Sequence, residues 1–579
     1  MRLPRLPGGR RERLVTDAFA GYNHNLKIAD GEFYDTENLS TAHCPMLSSR
    51  PKRAVLNRSF SDLRAIIAKE ALCWVDGGTL FVNGAATPLT GLQTQRETQL
   101  VSMGAYICVF PDAKYYNTMD PADYGSMGAR WTYTGRVGYS MCREDGSVYE
   151  TVRVSETEPE EPGNGEVWIG ADGTAKVWSG YEASWSALES VYTRVDFTTC
   201  GQLADFSALD GVDIAGLRFD ELNGSKILYA VGGGGNENDH LVLVGIAAGA
   251  CEDESATVRI ERKVPPMDFV CEAQNRLWGC FYGNDGARSV NEIYCCALGD
   301  FKNWNQFLGL ATDSWRAGRG SDGPFTGCVN YMGSPVFFKE NVIHPVGVSP
   351  AGAHTVDDLP ARGVQAGSHR SLAVVNETLY YKTRAGIVAW QGGMPADVGA
   401  ALGDTRYYEA AAGVFGQRYY ISMRDGAGVW SLFCFDAKTG LWMREDETHA
   451  AGFAAWGDEL FAICDNRVLA MNGTQGTVEA RVRWYAETGV QHYSLTDHKY
   501  LSRFNLRLKM EPGATLRLFI EYDSSGVWVP SGEVPVTGLD SFVVPVRPRR
   551  CDHLRLRLEG EGEVRVFSLA RVLELGSDV

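Results

Sequence analysis

Thr378-Leu-Tyr-Tyr-Lys-Thr-Arg-Ala-Gly-Ile-Val-Ala-Trp390 is the stretch whose reading decides the fold. An apolar-aromatic run, a polar turn containing Gly, and a second apolar run spell two short strands joined by a tight turn. The same unit recurs at Leu72–Gly84, Pro335–Gly347, Arg418–Asp436 and Glu459–Gly473, and more loosely from Arg276–Cys280 to Asn291–Asp300. The last four tight turns fall near residues 341, 385, 426 and 466. That spacing is about 40 residues, the length of a four-stranded propeller blade. One hairpin cannot bury a core alone, whereas radial packing of several buries each against its neighbours and leaves no long sheet edge open.

Composition agrees with this reading. Among 579 residues there are 65 Gly, 14 Trp and 25 Tyr, which suits many short strands and turns. Amphipathic helical stretches are few and short. The net charge of -17 makes the bulk of the surface repel nucleic acid and anionic membranes. Arg2, Arg5, Arg10, Arg11 and Arg13 are the local exception, a basic cluster that precedes any apolar pattern. We expect residues 1 to about 18 to form a solvated arm and these five arginines to be assembly contacts with an acidic partner surface. No apolar stretch follows that would make a secretory signal, and no run approaches the roughly 20 apolar residues of a membrane-spanning helix. The 14 cysteines are scattered through strand-like segments such as Ile293-Tyr-Cys-Cys296, a spacing that suits reduced thiols packed as small apolar residues.

The hairpin period breaks twice. Between residues 120 and 262 lie the alternating segments Trp131–Tyr139, Ser147–Val154, Val167–Trp178 and Ser190–Phe197, around the acidic linker Glu156–Gly163. After Gly473 come longer strands, Lys499–Met510, Ala514–Tyr522, Ser541–Val546, His553–Glu559 and Glu563–Val572. Alternation such as Leu554-Arg-Leu-Arg-Leu558 buries one face and leaves the other wet, as in a β-sandwich. The expected fold is therefore all-β: a β-propeller body with an inserted β domain and a C-terminal β-sandwich. The expected divisions are residues 1–55, an arm and a segment packing on the propeller; 56–119, the first blade or blades; 120–262, the insertion; 263–474, the remaining blades; and 475–579, the sandwich.

Catalytic patterns are missing. There is no Gly-Lys-Ser/Thr phosphate loop, no His-Glu-x-x-His, no Gly-x-Ser-x-Gly and no Cys-x-x-Cys. Gly232–Gly235 follows a strand-like run but leads into a second one, and so reads as a hairpin loop rather than a phosphate cradle. Asp172–Trp178 and Asp523–Trp528 resemble the Asp-box turn of sialidase blades only loosely and read as turns before a core Trp. Paired glycosidase carboxylates are not identifiable among 72 acidic residues. No enzyme activity, cofactor or metal site is expected.

Several segments resemble tailed-phage structural proteins. Phe19–Asn38, containing Asp30-Gly-Glu32 and Asn38, followed by Pro45-Met-Leu-Ser-Ser-Arg-Pro51, is similar to their opening, in which a "dGE…N" stretch leads to a "Pro-Leu…Arg" turn entering a propeller. Asn275–Gly279 with Ala297–Trp304 is similar to blade edges of the same proteins, and Pro545–His553 with the ending Glu574–Asp578 resembles a carboxy-terminal module of prophages of Gram-positive bacteria. The hub or nozzle class of short-tailed phages, the packaged-DNA stabilisation proteins, is the nearest analogy. The resemblance implies a virion tail protein assembled in the host cytoplasm. Its partners would be itself in a ring, portal, adaptor or neighbouring tail proteins, and packaged DNA passing without sequence-specific binding. No membrane partner is implied. A receptor- or polysaccharide-binding tail or baseplate protein is the alternative.

Overall fold

The computed structural model describes residues 11–235, 237–245, 251–349, 352–493, 498–535 and 538–575. The chain is all-β; among the described residues the only helical pieces are three short 3-10 turns, Asp220–Leu222, His369–Ser371 and Ala400–Leu402. Seven antiparallel sheets follow one another at residues 63–86, 99–126, 269–318, 327–356, 373–397, 407–446 and 452–478. We number them ring sheets 1 to 7. Their first strands neighbour one another in that order, sheets 4 and 5 meeting through the 3-10 turn His369–Ser371, and sheet 7 lies against sheet 1. The sheets thus close a ring.

Strand periodicity explains the closure. Successive side chains of a strand point to opposite faces. Val336 and Phe338 pack toward sheet 5, while Phe337 between them packs toward sheet 3. Leu379 and Tyr381 face sheet 4, and Tyr380 faces sheet 6. Tyr419 and Ile421 turn to sheet 5, and Tyr420 to sheet 7. An unbroken apolar run therefore marks a strand buried on both faces. Sheet 7 is completed from the other end of the chain: Ala54–Val55 pairs with both Arg467–Ala470 and Thr477–Val478.

The insertion leaves the ring after sheet 2. Its main sheet has seven strands, with Cys251–Arg262 and Ala129–Cys142 at the centre, and a small four-stranded sheet at 152–187 hangs from it. Gly232 lies in an antiparallel hairpin between Ala230–Gly234 and Glu237–Val244, as the sequence suggests. Two expectations need correction here. Sheet 2 runs to Tyr124–Ser126, so two ring sheets precede the insertion, and a boundary at 119 would cut off the last strand of the second. Trp178 and Trp528 are half-buried rather than core residues.

Two five- and six-stranded sheets form the carboxy-terminal sandwich, joined by the amino-terminal segment. Phe33–Glu37 pairs with Arg483–Thr488 in one sheet, and Leu47–Ser49 and Arg11–Thr16 both pair with Val564–Leu575 in the other. Phe19, Phe33, Leu39 and Leu47 are sandwich core, whereas Tyr22 sits in the core between ring sheets 5 and 6. Residues 19–53 are thus shared between the two bodies rather than packed on the ring alone.

A polar joint holds ring and sandwich together. Asn38 Nδ2 donates to Arg483 O at 2.8 Å and its Oδ1 accepts from Arg50 Nε at 2.6 Å. Arg50 also pairs with Glu479. Arg53, 7% exposed in its side chain, reaches Glu445 at 2.5 Å and Asp446 at 2.6 Å in ring sheet 6. Burial pushes the Asp446 carboxyl up, but Arg53 and Thr448 outweigh it and hold it below the ordinary range. Removing one partner from a buried pair leaves the other charge uncompensated, so Arg53→Leu should destabilise the chain by about 3–5 kcal/mol in denaturant unfolding at neutral pH. Because the folded Asp446 value lies below its unfolded one, the wild-type joint is at full strength above the unfolded value of about 3.9 and weakens as pH falls through the lower folded value. A loss under about 1 kcal/mol in Arg53→Leu would show that the joint is dispensable.

Candidate functional sites: the ring axis, a Ser–His–Asp array and the amino-terminal strand

All seven ring sheets, or the turns leading into them, contribute to a cavity of about 280 Å3 on the ring axis, lined among others by Ile66, Gln99, Val270, Cys328, Ala412 and Phe453. Arg370 crosses it. Its guanidinium donates to Ala451 O at 2.6 Å and Thr98 O at 3.4 Å and pairs with Glu97 at 2.7 Å. Residues 97–98 enter sheet 2, which lies across the ring from the turn carrying Arg370, so one side chain ties opposite walls. His369 Nε2 lies 3.1 Å from the same Glu97 carboxylate. Burial pushes Glu97 up, but His369 and Arg370 outweigh it and hold the carboxyl below its usual value. The DNA major groove alone is about 12 Å wide, so a duplex cannot thread this axis. The axis is a polar staple, not a conduit.

A second constellation lies between sheets 3 and 4. His344 Nδ1 is 2.7 Å from Asp358 Oδ1, and Ser321 Oγ is 3.2 Å from His344 Nε2. A carboxylate only accepts, so Nδ1–H donates to Asp358 and Nε2 accepts from the Ser321 hydroxyl. Nucleophile, base and orienting carboxylate are the parts of an acyl-transfer triad. Here they are tied down as a brace: the His344 side chain is fully buried, Asp358 also pairs with Arg319 at 3.2 Å, and Lys339 Nζ holds the Ser321 carbonyl at 2.7 Å. Sequence reading does not find this array, because its members stand 23 and 14 residues apart in no recognised motif.

The expected assembly residues divide. Arg2, Arg5 and Arg10 lie outside the described residues. Arg11 and Arg13 do not belong to a solvated arm; they are in the strand Arg11–Thr16, antiparallel to Arg571–Glu574 and its neighbours. This corrects the expectation for residues 11–16. Arg11, Arg13 and Val15 alternate outward, and Arg11 pairs with Glu574 at 2.9 Å. Thr16 points inward, where its hydroxyl donates to Asp30 at 2.6 Å and accepts from buried Arg571 at 2.5 Å. Among the described residues the outer edge of this strand has no strand partner, and its charges guard it against indiscriminate pairing. None of the 14 cysteines forms a disulfide, and no group of three or more metal-ligating side chains is clustered among the described residues.

Burial lowers the His344 pKa, although Asp358 opposes the shift. A histidine with a depressed folded value leaves stability intact above its unfolded value of about 6.5, and stability is lost as pH falls from there toward the folded value. Unfolding measured between pH 7.5 and roughly 5 should therefore show a downward slope that His344→Asn partly removes. Ser321→Ala should cost roughly 1 kcal/mol and change no esterase rate. Turnover of p-nitrophenyl acetate that disappears in Ser321→Ala would make the array catalytic instead.

No family model matches this chain, and no curated protein does. Among solved structures, the extracellular domain of a hybrid two-component system from B. thetaiotaomicron is similar at 8% identity and TM-score 0.25, over 92% of this chain and 98% of that one. A Trypanosoma rangeli sialidase in complex with sialic acid is similar at 11% identity and TM-score 0.14, over 97% and 95% of the two chains.

Proposed function

We propose that the chain is a non-enzymatic structural protein of a tailed phage or prophage particle, a ring-forming tail hub, nozzle or head–tail connector component. The seven-sheet ring is read as a seven-bladed propeller that supplies a stiff body, and the sandwich and insertion as surfaces for neighbouring subunits. One observation carries this reading. Residues within the segments that bear the phage-tail resemblance act as structural joints. Asp30 makes a two-pronged pair with Arg571 at 2.9 and 2.7 Å. Gly31, at φ +91°, leaves no room for a Cβ beside Ala18 O, and Asn38 and Arg50 form the joint between the two bodies. Joints that fix geometry at such points are what an assembly part needs.

The polar staple across the propeller axis has a consequence for this role: packaged DNA would pass between several copies arranged in a ring, not through one copy. A net charge of -17 per subunit suits such a lining, because phosphate binding depends on placed Lys and Arg. The open, Arg-bearing edge of Arg11–Thr16 is the contact we assign to a neighbouring acidic surface.

A second reading, a glycan-binding tail protein, rests on the small sheet of the insertion. There Trp185 lies 6.0 Å from Trp168 and 5.4 Å from Trp178 between ring centroids, and Tyr181 is 99% exposed nearby. Aromatic faces at a domain tip make a stacking platform.

Epitope-tagged protein expressed in a lysogenic host should co-sediment with tailed particles after induction, and its deletion should give particles that leak DNA. Persistently soluble protein beside fully infectious particles would overturn the structural reading, and tight retention on host polysaccharide lost on replacing Trp185 would favour the second. Charge reversal at Arg11 and Arg13 should leave the unfolding midpoint nearly unchanged while lowering incorporation, less so above physiological salt, where screening shortens to under about 8 Å. Normal incorporation would make this edge dispensable.

A further inference from the structure

We propose that the cavity between ring sheets 5 and 6 binds a small organic oxyanion, a molecule carrying a carboxylate or phosphate group, with Lys382 as its buried counter-charge. The cavity measures about 500 Å3 and is lined by Lys382, Arg384, Arg406, Tyr407, Leu402 and Met423, among others. Sites for small molecules span about 300–1,000 Å3, so the space exceeds a bare ion and admits a ligand with a body.

The strand pattern aims Lys382 into it. Tyr380 faces sheet 6, and Lys382, two residues on, shares that side. Its pairing partner Ile387 packs on the same side with Leu402 and Met423, which form an apolar floor. The lysine is 2% exposed. Of its three N–H donors, one goes to Gln365 Oε1 at 2.8 Å and one to Thr383 O at 2.5 Å, and both acceptors are neutral. Among the described residues no carboxylate pairs with it. Burial alone pulls its pKa down to about 8, so it is mostly charged at neutral pH. A buried ammonium without a counter-ion is the unusual feature, because buried charges are ordinarily paired.

The rim repeats the sign. Arg384 is exposed and bound only loosely to Glu340, at 3.4 Å. Arg406 is exposed and makes no ion pair among the described residues. Asp404 is the sole carboxylate in the lining, against three cations. An oxyanion entering the cavity would accept hydrogen bonds from the third Lys382 N–H and from the two guanidinium groups while its body lies on Leu402 and Met423. Charge-assisted bonds of this kind are the strong ones.

The test uses the full chain, titrated with inorganic phosphate and with benzoate at constant ionic strength, sodium chloride being the control, and followed by thermal unfolding and calorimetry. The expected result is a saturable rise in the unfolding midpoint with at least one of the two probes and none with chloride. Response to phosphate alone assigns a phosphoryl ligand, and response to benzoate alone a carboxylate. Lys382→Met should abolish the response while raising the midpoint of the ligand-free chain. Arg406→Ala, at an exposed position, should weaken binding about tenfold. Saturation by neither probe overturns the proposal, as does an undiminished response in Lys382→Met. Should Lys382→Met fail to fold, full affinity in Arg406→Ala overturns it equally.

Discussion

Everything in the ring follows from sheets that are apolar on both faces. A sheet with one apolar face needs one neighbour, and two layers satisfy it. Sheets such as 327–356 and 373–397 send aromatic side chains to both sides, so each needs two neighbours, and a linear stack would leave its end sheets half covered. Closure removes the ends. Phe461 and Ile463 of sheet 7 then meet Leu63 and Trp74 of sheet 1, and the last apolar face disappears from water.

The same constraint sets how much of the fold was legible in the sequence. Where both faces are buried, hydrophobic runs are continuous and the hairpins announce themselves, as at Pro335–Gly347 and Glu459–Gly473. Sheet 2 gives no clear hairpin signal, because its strands Gln99–Met103 and Tyr106–Phe110 are followed by the mixed Lys114–Asn117 and the short Tyr124–Ser126, and the insertion obscures the period. Strand Arg11–Thr16 was unreadable for another reason. Only Leu14 and Thr16 of its inward positions resemble sheet residues, and it forms because Val564–Leu575 presents a free edge to it. Long strands of the sandwich were found within a few residues, whereas Arg483–Thr488, a charged and aromatic mixture, was not.

Site chemistry was still less legible. Arg370 and Thr98 are 272 residues apart, and nothing in either neighbourhood hints that they meet on an axis. Lys382 stood within the stretch that decided the fold, yet as a letter it reads as a polar turn residue. Only the strand register, which turns it inward with Tyr380, reveals that it is buried without an acid. Motif reading finds chemistry that is close in sequence; here the polar interior is built from residues that the topology brings together.

The pairing of Ala54–Val55 with Arg467–Ala470 imposes an order on biosynthesis. During translation those first residues emerge more than four hundred positions ahead of their partners, and the first two ring sheets appear with a face that nothing yet covers. Contacts this distant in sequence form slowly, and uncovered strand edges invite mispairing meanwhile. The insertion at 129–262 and the sheets after it must therefore fold while the ring stands open. A nascent chain interrupted anywhere before residue 467 exposes a permanent gap with apolar walls, which marks it for chaperones and proteases.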